Sequence, residues 1–121
     1  VDEADSFIFI TGEYDHTIPA SLTNALQHLY YPWLNKPVAY VGYGAALGGG
    51  RAIEHLRQMA GELGHFDIDT AVYIPNYWAQ IDQSSGKWTA SQEQTDEAKK
   101  LIDKLVFWTD IFKDARAKLA K

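Results

Sequence analysis

The stretch from Ser6 to Ala20 constrains the fold of this chain more than any other. It opens with Phe7 to Thr11, a run of apolar and β-branched residues that is typical of a strand buried on both faces of a parallel sheet. A turn of small and polar residues follows, and Pro19 has the fixed φ that suits a first helical turn. In an open α/β sheet such a strand-to-helix corner lies at the carboxyl edge, where ligands bind. We therefore expect a binding site beside Gly12 to Thr17.

The same alternation of strand and helix continues to the end of the chain. Hydrophobic periodicity and turn residues predict a helix at about 19–30, a strand at 38–41, a helix at about 50–63, a strand at 66–74, a long loop at 76–90 and a last helix to about 119. Gly64 suits a left-handed C-cap, and Ser91 to Gln94 resembles a capping box. The pattern is β-α-β-α-β-α, which means parallel strands joined by helical crossovers.

Each predicted helix has one apolar stripe that should face the sheet. The predicted inward residues are Leu22, Ala25, Leu26 and Leu29 in the first helix, Ile53, Leu56, Ala60 and Leu63 in the second, and Ala98, Leu101, Ile102, Leu105, Trp108 and Phe112 in the last.

Composition narrows the class of protein. The 121 residues are enough for one domain, and 46% hydrophobic with 22% charged residues argues against disorder. The net charge of -5 opposes a nucleic-acid or anionic-membrane partner. No Cys is present, which excludes thiolate chemistry and fits a reducing, cytoplasmic location. The sequence has neither an apolar run of the roughly 18 residues of a membrane span nor a signal-peptide pattern at its start.

The densest glycine segment, Gly42 to Arg51, holds five of the nine glycines. It lacks the Gly-Lys-Ser/Thr ending of a Walker loop, and Leu47 stands where the dinucleotide fingerprint needs its third glycine. Two interpretations of this glycine segment remain. The segment is either a structural turn or a place where bare backbone approaches a flat ligand.

Other residues that could have a functional role also have ordinary structural explanations. The four His are scattered without metal-ligand spacing, so no metal is expected. Glu13 and Asp15 are either an acid–base pair or solvated turn carboxylates. Tyr14, Tyr43 and Trp78 are predicted in loops at the ligand edge, where aromatic rings and backbone groups suit a planar heterocycle.

Two long motifs, SFIFITGEYDHTIPASLTNAL and KPVAYVGYGAALGGGRAIEHLRQ, resemble the NADPH-dependent FMN reductase family, which includes flavodoxin-like quinone and azo-dye reductases. Gly12-Glu13-Tyr14-Asp15 stands where the family usually has Pro-Glu-Tyr-Asn, and Gly48-Gly49-Gly50-Arg51 matches its Gly-Gly-x-Arg signature. The resemblance implies a flavodoxin-like α/β fold, an open parallel sheet with helices on both faces.

The resemblance also implies FMN as cofactor, with NADPH or NADH as hydride donor. The flavin would then reduce a flavin, quinone or azo-type acceptor, and no acid–base pair is needed because the cofactor performs the chemistry. Carried over by position, the cofactor-binding residues are Glu13, Tyr14, Asp15, His16, Tyr43, Gly44, Gly48 and Gly49. Asp15 in place of Asn puts a negative charge near the ring, which would lower the flavin potential.

Family members have a further strand, phosphate loop, helix and strand before this point. In the flavodoxin order 2-1-3-4-5, the three strands here correspond to strands 3, 4 and 5. The resemblance therefore implies a single domain, residues 1–121, without its N-terminal β-α-β unit. Either the sequence is a fragment, or another chain supplies the missing half, or the protein rearranges.

The expected protein is an FMN-dependent NAD(P)H oxidoreductase. The resemblance implies a homodimer through the first two helices, with Tyr30, Tyr31 and Trp33 as candidate contacts. The alternative is a non-catalytic half-domain that binds a partner chain through its open edge strand. A phosphate-binding signalling domain of the same fold is disfavoured because the expected acidic cluster and lysine at the strand ends are absent.

Overall fold

The computed structural model describes residues 1–119. Its principal elements are β1 (Phe7–Gly12), α1 (Ala20–Gln27), β2 (Lys36–Gly44), α2 (Gly50–Glu62), β3 (His65–Pro75) and α3 (Gln92–Leu119). Two short 3-10 helices, Tyr31–Trp33 and Tyr77–Gln80, lie between them. The predicted order of strands and helices is confirmed.

The three strands form one parallel sheet in the order β1-β2-β3. Phe7 is level with Val38, and Lys36 is level with His65. Strand β2 is longer than predicted, so Tyr43 and Gly44 end a strand instead of lying in a loop. The parallel arrangement brings the ends of β1, β2 and β3 to one edge of the sheet.

Helices cover both faces of the sheet, as predicted. Side chains alternate along a strand, so Val38 and Tyr40 face α1 and α2, whereas Ala39 faces α3. The first core cluster comprises Ile18, Leu26, Trp33, Val38, Tyr40, Ala52, Ile53 and Leu56. The second comprises Ala39, Ile68, Val72, Leu101 and Leu105. The fold is therefore a flavodoxin-like open α/β sheet.

Helix α1 is shorter than predicted, and part of its expected stripe is exposed. It ends at Gln27, before Leu29, and Ala25 within it is exposed, so that only Leu22 and Leu26 of the predicted stripe pack inward. After the helix, Trp33 packs into the first core cluster, and its Nε1–H donates to the carbonyl oxygen of Leu26 at 3.0 Å. Trp33 is only 5% exposed, so its expected role as a dimer contact is wrong.

Strand β1 is covered on one face only, contrary to the prediction. Phe7 and Phe9 pack into the first core cluster, but Ile10 is 68% exposed on the opposite face, and Ile8 is also exposed. Helix α3 packs against β2 and β3, which leaves this face of β1 uncovered within residues 1–119. Ile102 of α3, predicted to point inward, is half exposed for the same reason.

Two of the predicted helix ends, at Gly64 and at Ser91, are confirmed by local geometry. Gly64 has a φ of +70°, the left-handed conformation of a C-cap. Ser91 Oγ accepts from the Gln94 N–H at 3.1 Å while Gln94 Oε1 accepts from the Ser91 N–H at 2.8 Å, a reciprocal capping box. Pro19 precedes α1 as its N-cap instead of occupying its first turn. In the described part of the chain, no helix combines the length and apolar character needed to cross a bilayer.

Candidate functional site

Three chain segments meet at the carboxyl edge of the sheet. The N–H of Glu13, after β1, donates to the carbonyl of Tyr43 at 3.1 Å. The N–H of Asn76, after β3, donates to the carbonyl of Ala45 at 3.1 Å, and the N–H of Ile74 donates to that of Gly48 at 3.3 Å. The turn after β1, the glycine loop after β2 and the segment after β3 are thus joined through the glycine loop.

The turn after β1 is a tight two-residue hairpin. Tyr14 and Thr17 exchange backbone hydrogen bonds of 3.0 and 2.8 Å. Between them Asp15 and His16 have φ of 48° and 66°. Two successive residues at positive φ define a type I′ turn, which favours Asn, Asp or Gly and strains other residues. The turn therefore presents Tyr14, which is largely exposed, at the edge of the site.

The glycine loop is packed too closely for side chains. Gly49 has a φ of +84°, and a Cβ there would lie 2.6 Å from the Tyr43 nitrogen. A Cβ on Gly48 would lie 2.8 Å from the backbone nitrogen of Ile74. These two glycines therefore favour the interpretation of the segment as a structural turn. The loop also presents donors, since the N–H groups of Ala45, Ala46 and Leu47 make no backbone hydrogen bond within residues 1–119.

An ion pair links the first turn to α2. The Glu13 carboxylate accepts from Arg51 Nε at 2.6 Å, from Arg51 Nη2 at 2.5 Å and from the Arg51 backbone N–H at 3.1 Å. Burial opposes ionisation of this carboxyl group, but the hydrogen bonds and charge of Arg51 outweigh burial and hold the pKa of Glu13 below its ordinary 4.5. The carboxylate is therefore a bound anion, unsuited to act as a general acid near neutral pH.

A cavity of about 270 Å³ lies where the three segments meet. Its lining residues are Gly12, Glu13, Tyr14, Tyr43, Gly44, Ala45, Tyr77 and Trp78. We call it the edge cavity. The aromatic side chains of this cavity pack on one another. The Tyr43 and Tyr77 rings pack edge-to-face with centroids 5.3 Å apart, and Tyr77 packs similarly on Trp78. Typical ligand sites measure roughly 300–1,000 Å³, so this cavity suits a ring system better than a whole dinucleotide.

The structure places the eight predicted cofactor residues in three groups. Glu13, Tyr14, Tyr43 and Gly44 line the edge cavity. Asp15 and His16 instead line a separate groove of about 650 Å³ beside α2, with Leu47, Gly50, Arg51, Glu54, His55, Gln58 and Tyr73. Gly48 and Gly49 line neither cavity and pack against β2 and β3. Asp15 therefore lies outside the edge cavity, which removes the basis for its predicted effect on the potential of a ring there.

Sequence reasoning missed Tyr77 as a lining residue, although it recognised Trp78 as an aromatic residue at this edge. Tyr77 also lines an adjoining apolar cavity of about 170 Å³ with Tyr43, Ile74 and Trp88. Trp88 is held there by a backbone bridge to Ile81. The available signal was the concentration of aromatic residues in a loop otherwise rich in Gln, Ser and Asp.

The edge cavity presents aromatic side chains and backbone polar groups to a ligand. Among residues 1–119, no group of three His, Asp or Glu side chains is arranged to hold a metal ion. Aromatic rings supply flat apolar contact, and backbone N–H groups bind carbonyl or ring-nitrogen acceptors at its rim. The arrangement suits a planar heterocycle that has hydrogen-bond acceptors along one edge.

Comparison with known proteins shows which family the sequence matches. The model of the family described as NADPH-dependent FMN reductase matches residues 1–79. An NAD(P)H-dependent FMN reductase of Schizosaccharomyces pombe is 47% identical over 60 residues, which cover 50% of this chain and 30% of the relative. The NADPH:quinone oxidoreductase of Arabidopsis thaliana is 35% identical over 102 residues, or 81% of this chain and 50% of the relative.

Two further comparisons concern length and fold. The NAD(P)H:quinone oxidoreductase of Solanum tuberosum is 34% identical over 98 residues, again covering 50% of the relative, so the chain spans at most half the length of these three proteins. The solved structure of FerB, a flavoenzyme NAD(P)H:(acceptor) oxidoreductase from Paracoccus denitrificans, matches with a TM-score of 0.60 and 22% identity. It covers 93% of this chain and 63% of FerB, and shows that the two proteins share a fold.

Proposed function

This chain belongs to the NADPH-dependent FMN reductase family, and from that premise we propose that it binds FMN and transfers hydride from NAD(P)H to a small-molecule acceptor. The proposed acceptors are a free flavin, a quinone or an azo compound. The names of the relatives support the first two classes, since they include FMN reductases and quinone oxidoreductases.

The observation that carries the proposal is the edge cavity between the turn after β1 and the glycine loop. Its residues fit a flavin ring, because Tyr14, Tyr43, Tyr77 and Trp78 offer aromatic contact while the glycine loop offers the N–H of Ala45, which makes no backbone hydrogen bond within residues 1–119. The pyrimidine edge of a flavin carries carbonyl oxygens that accept such donors. The cavity also lacks a charged side chain free of a partner, since Glu13 is bound by Arg51.

When bound, FMN would supply the hydride-accepting and hydride-donating chemistry. The chain's own residues would do three things. Tyr14 and Trp78 would pack on the ring and shield it from water, the amide of Ala45 would orient its polar edge, and the glycines would let β2 and β3 approach that loop. No residue needs to move a proton for this role.

The direct test is reconstitution with FMN. Purified protein should quench the fluorescence of added FMN, and the mixture should oxidise NADPH when a quinone is supplied. Trp78→Ala should weaken the quenching because it removes an aromatic wall of the cavity. Phe107→Ser, on the exposed side of α3, is the matched control and should bind FMN like the wild type.

We also propose a homodimer and a cytoplasmic location. Tyr30 and Tyr31 support the first, because Tyr31 is 83% exposed and its ring packs against that of Tyr30. Exposed aromatic side chains of this kind are enriched at protein interfaces. The absence of Cys supports the second. Light scattering at micromolar concentration should give twice the mass of the chain, and Tyr31→Ser should lower it.

A second candidate function rests on the outer side of β1. Within residues 1–119 this strand pairs only with β2, and Ile8 and Ile10 stay exposed beside its free edge. An apolar edge strand is a ready template for pairing with another chain. The chain would then be a non-catalytic module that binds a partner chain. Addition of FMN separates the two functions, because a partner module would leave flavin fluorescence and NADPH unchanged.

A further inference from the structure

Glu13 makes hydrogen bonds that connect three elements of the site. Its N–H donates to the carbonyl of Tyr43 at the end of β2, and its carboxylate holds both the side chain and the backbone N–H of Arg51 in the first turn of α2. The Glu13 side chain is only 8% exposed. One residue thus fixes the turn after β1, the end of β2 and the start of α2 in a single arrangement.

Helix α2 needs this contact because its own N-cap cannot supply one. The N-cap is Gly49, which has no side chain, and no side-chain cap hydrogen bond is formed at this position. The first N–H groups of a helix require external acceptors, and a carboxylate there also interacts favourably with the positive end of the helix dipole. Glu13 provides that acceptor from 38 residues away.

The same contacts leave Glu13 little capacity to bind a cofactor directly. Three donors from Arg51 occupy both carboxylate oxygens, at 2.6 Å and 2.5 Å for Oε1 and 3.1 Å for Oε2. The positive charge of Arg51 is likewise engaged by Glu13. A ligand that recruited either side chain would have to break this pair and leave a buried charge without its partner, which is costly.

We infer that Glu13 is a positioning residue that sets the flavin-binding geometry of the glycine loop through Arg51, and that its carboxylate does not itself hydrogen-bond to the flavin. This inference rests on the proposed FMN-binding function. It revises the expectation, drawn from the family motif, that Glu13 binds the cofactor. Its consequence is that Glu13 and Arg51 act as one unit, so the loss of either should misplace the amides of Ala45 to Leu47.

A double-mutant cycle tests the unit. FMN affinity would be measured by fluorescence quenching for the wild type, Glu13→Ala, Arg51→Ala and the double variant, with thermal melts to confirm folding. Each single variant should weaken FMN binding on the order of tenfold, and the double variant should be no weaker than the poorer single. Glu13→Gln with Arg51→Gln restores a neutral hydrogen-bonded pair and should recover part of the loss.

Direct contact of Glu13 with the flavin predicts a different result. The losses of FMN affinity in the two single variants would then multiply in the double variant. In addition, Glu13→Ala would shift the absorption spectrum of the bound flavin, whereas Arg51→Ala would not. Either outcome would overturn the inference.

A readout without FMN separates this inference from the proposed function. In the cofactor-free protein, Glu13→Ala should speed hydrogen exchange at the Arg51 amide and shift the amide resonances of Ala45 to Leu47, whereas Glu54→Ala on the same helix should leave both unchanged. Unaltered exchange and resonances in Glu13→Ala would refute the positioning role even if the wild type binds no flavin. Failure of the wild type to bind FMN, with the amide changes present, would count only against the proposed function.

Discussion

The imidazole of His65 lies edge-on against the indole of Trp33, with ring centroids 5.4 Å apart and ring planes at 85°. Phe7 and Phe9 complete an aromatic surround, and within residues 1–119 the buried Nε2 of His65 has no hydrogen-bond partner. Burial in this apolar environment lowers the pKa of His65 to about 4, although nearby Asp67 opposes the shift. His65 is therefore neutral in the folded protein at ordinary pH.

This neutral histidine should make stability fall as the pH is lowered from about 6.5 to about 4. In that window the unfolded chain binds a proton at His65 and the folded chain does not, so protonation favours unfolding. Because His65 is only partly buried and solvent screens part of the effect, we expect a loss of about 1–2 kcal/mol. Denaturant unfolding of wild type and His65→Phe across this range measures it. The variant should lose less stability than the wild type, and parallel curves for the two proteins would contradict the assignment.

A glycine at position 16 should relieve backbone strain in the hairpin turn after β1. His16 has a φ of 66° at the second central position of a type I′ turn, where glycine is favoured. His16→Gly should therefore raise the free energy of unfolding by about 0.5–1 kcal/mol. The matched control is His28→Gly, because His28 has a φ of -72° at the C-cap of α1. The control should not be stabilised, and an equal gain at both positions would rule out relief of strain.

Two alanine substitutions distinguish close packing from simple helix propensity. Gly49→Ala places a Cβ 2.6 Å from the Tyr43 nitrogen at a φ of +84°, so we expect a loss of about 2–4 kcal/mol. Gly61→Ala in α2 meets no atom within 4 Å and should gain about 0.5–1 kcal/mol. Chemical denaturation of both variants gives the comparison. Tolerance of alanine at position 49 would show that the glycine loop is not packed as described.

Much of the fold could be predicted because local signals and the global arrangement agree. The apolar run Phe7 to Thr11, the capping box at Ser91 and the left-handed Gly64 each specify an element or its end from nearby residues alone. The alternation of strands and helices then determines parallel pairing. The early end of α1 could not be predicted in this way, because the apolar periodicity continues to Leu29 although the helix ends at Gln27.

The candidate site was predictable in position but not in the direction of its side chains. Proximity in the motif placed Glu13, Asp15 and His16 together, yet the type I′ turn sends Asp15 and His16 to the groove beside α2. Glu13 turns toward Arg51 because α2 begins with a glycine that cannot cap it. Tyr77 joins the site through a short 3-10 helix after β3, within a segment whose sequence predicted only a loop.

The central claim is that the edge cavity between the turn after β1 and the glycine loop binds a flavin. Equilibrium titration of FMN with the 121-residue protein, followed by flavin fluorescence, tests it most directly. Our account predicts saturable quenching that weakens in Trp78→Ala and is unchanged in Phe107→Ser. Unquenched FMN fluorescence with a folded wild-type protein, or equal quenching by all three proteins, would contradict it.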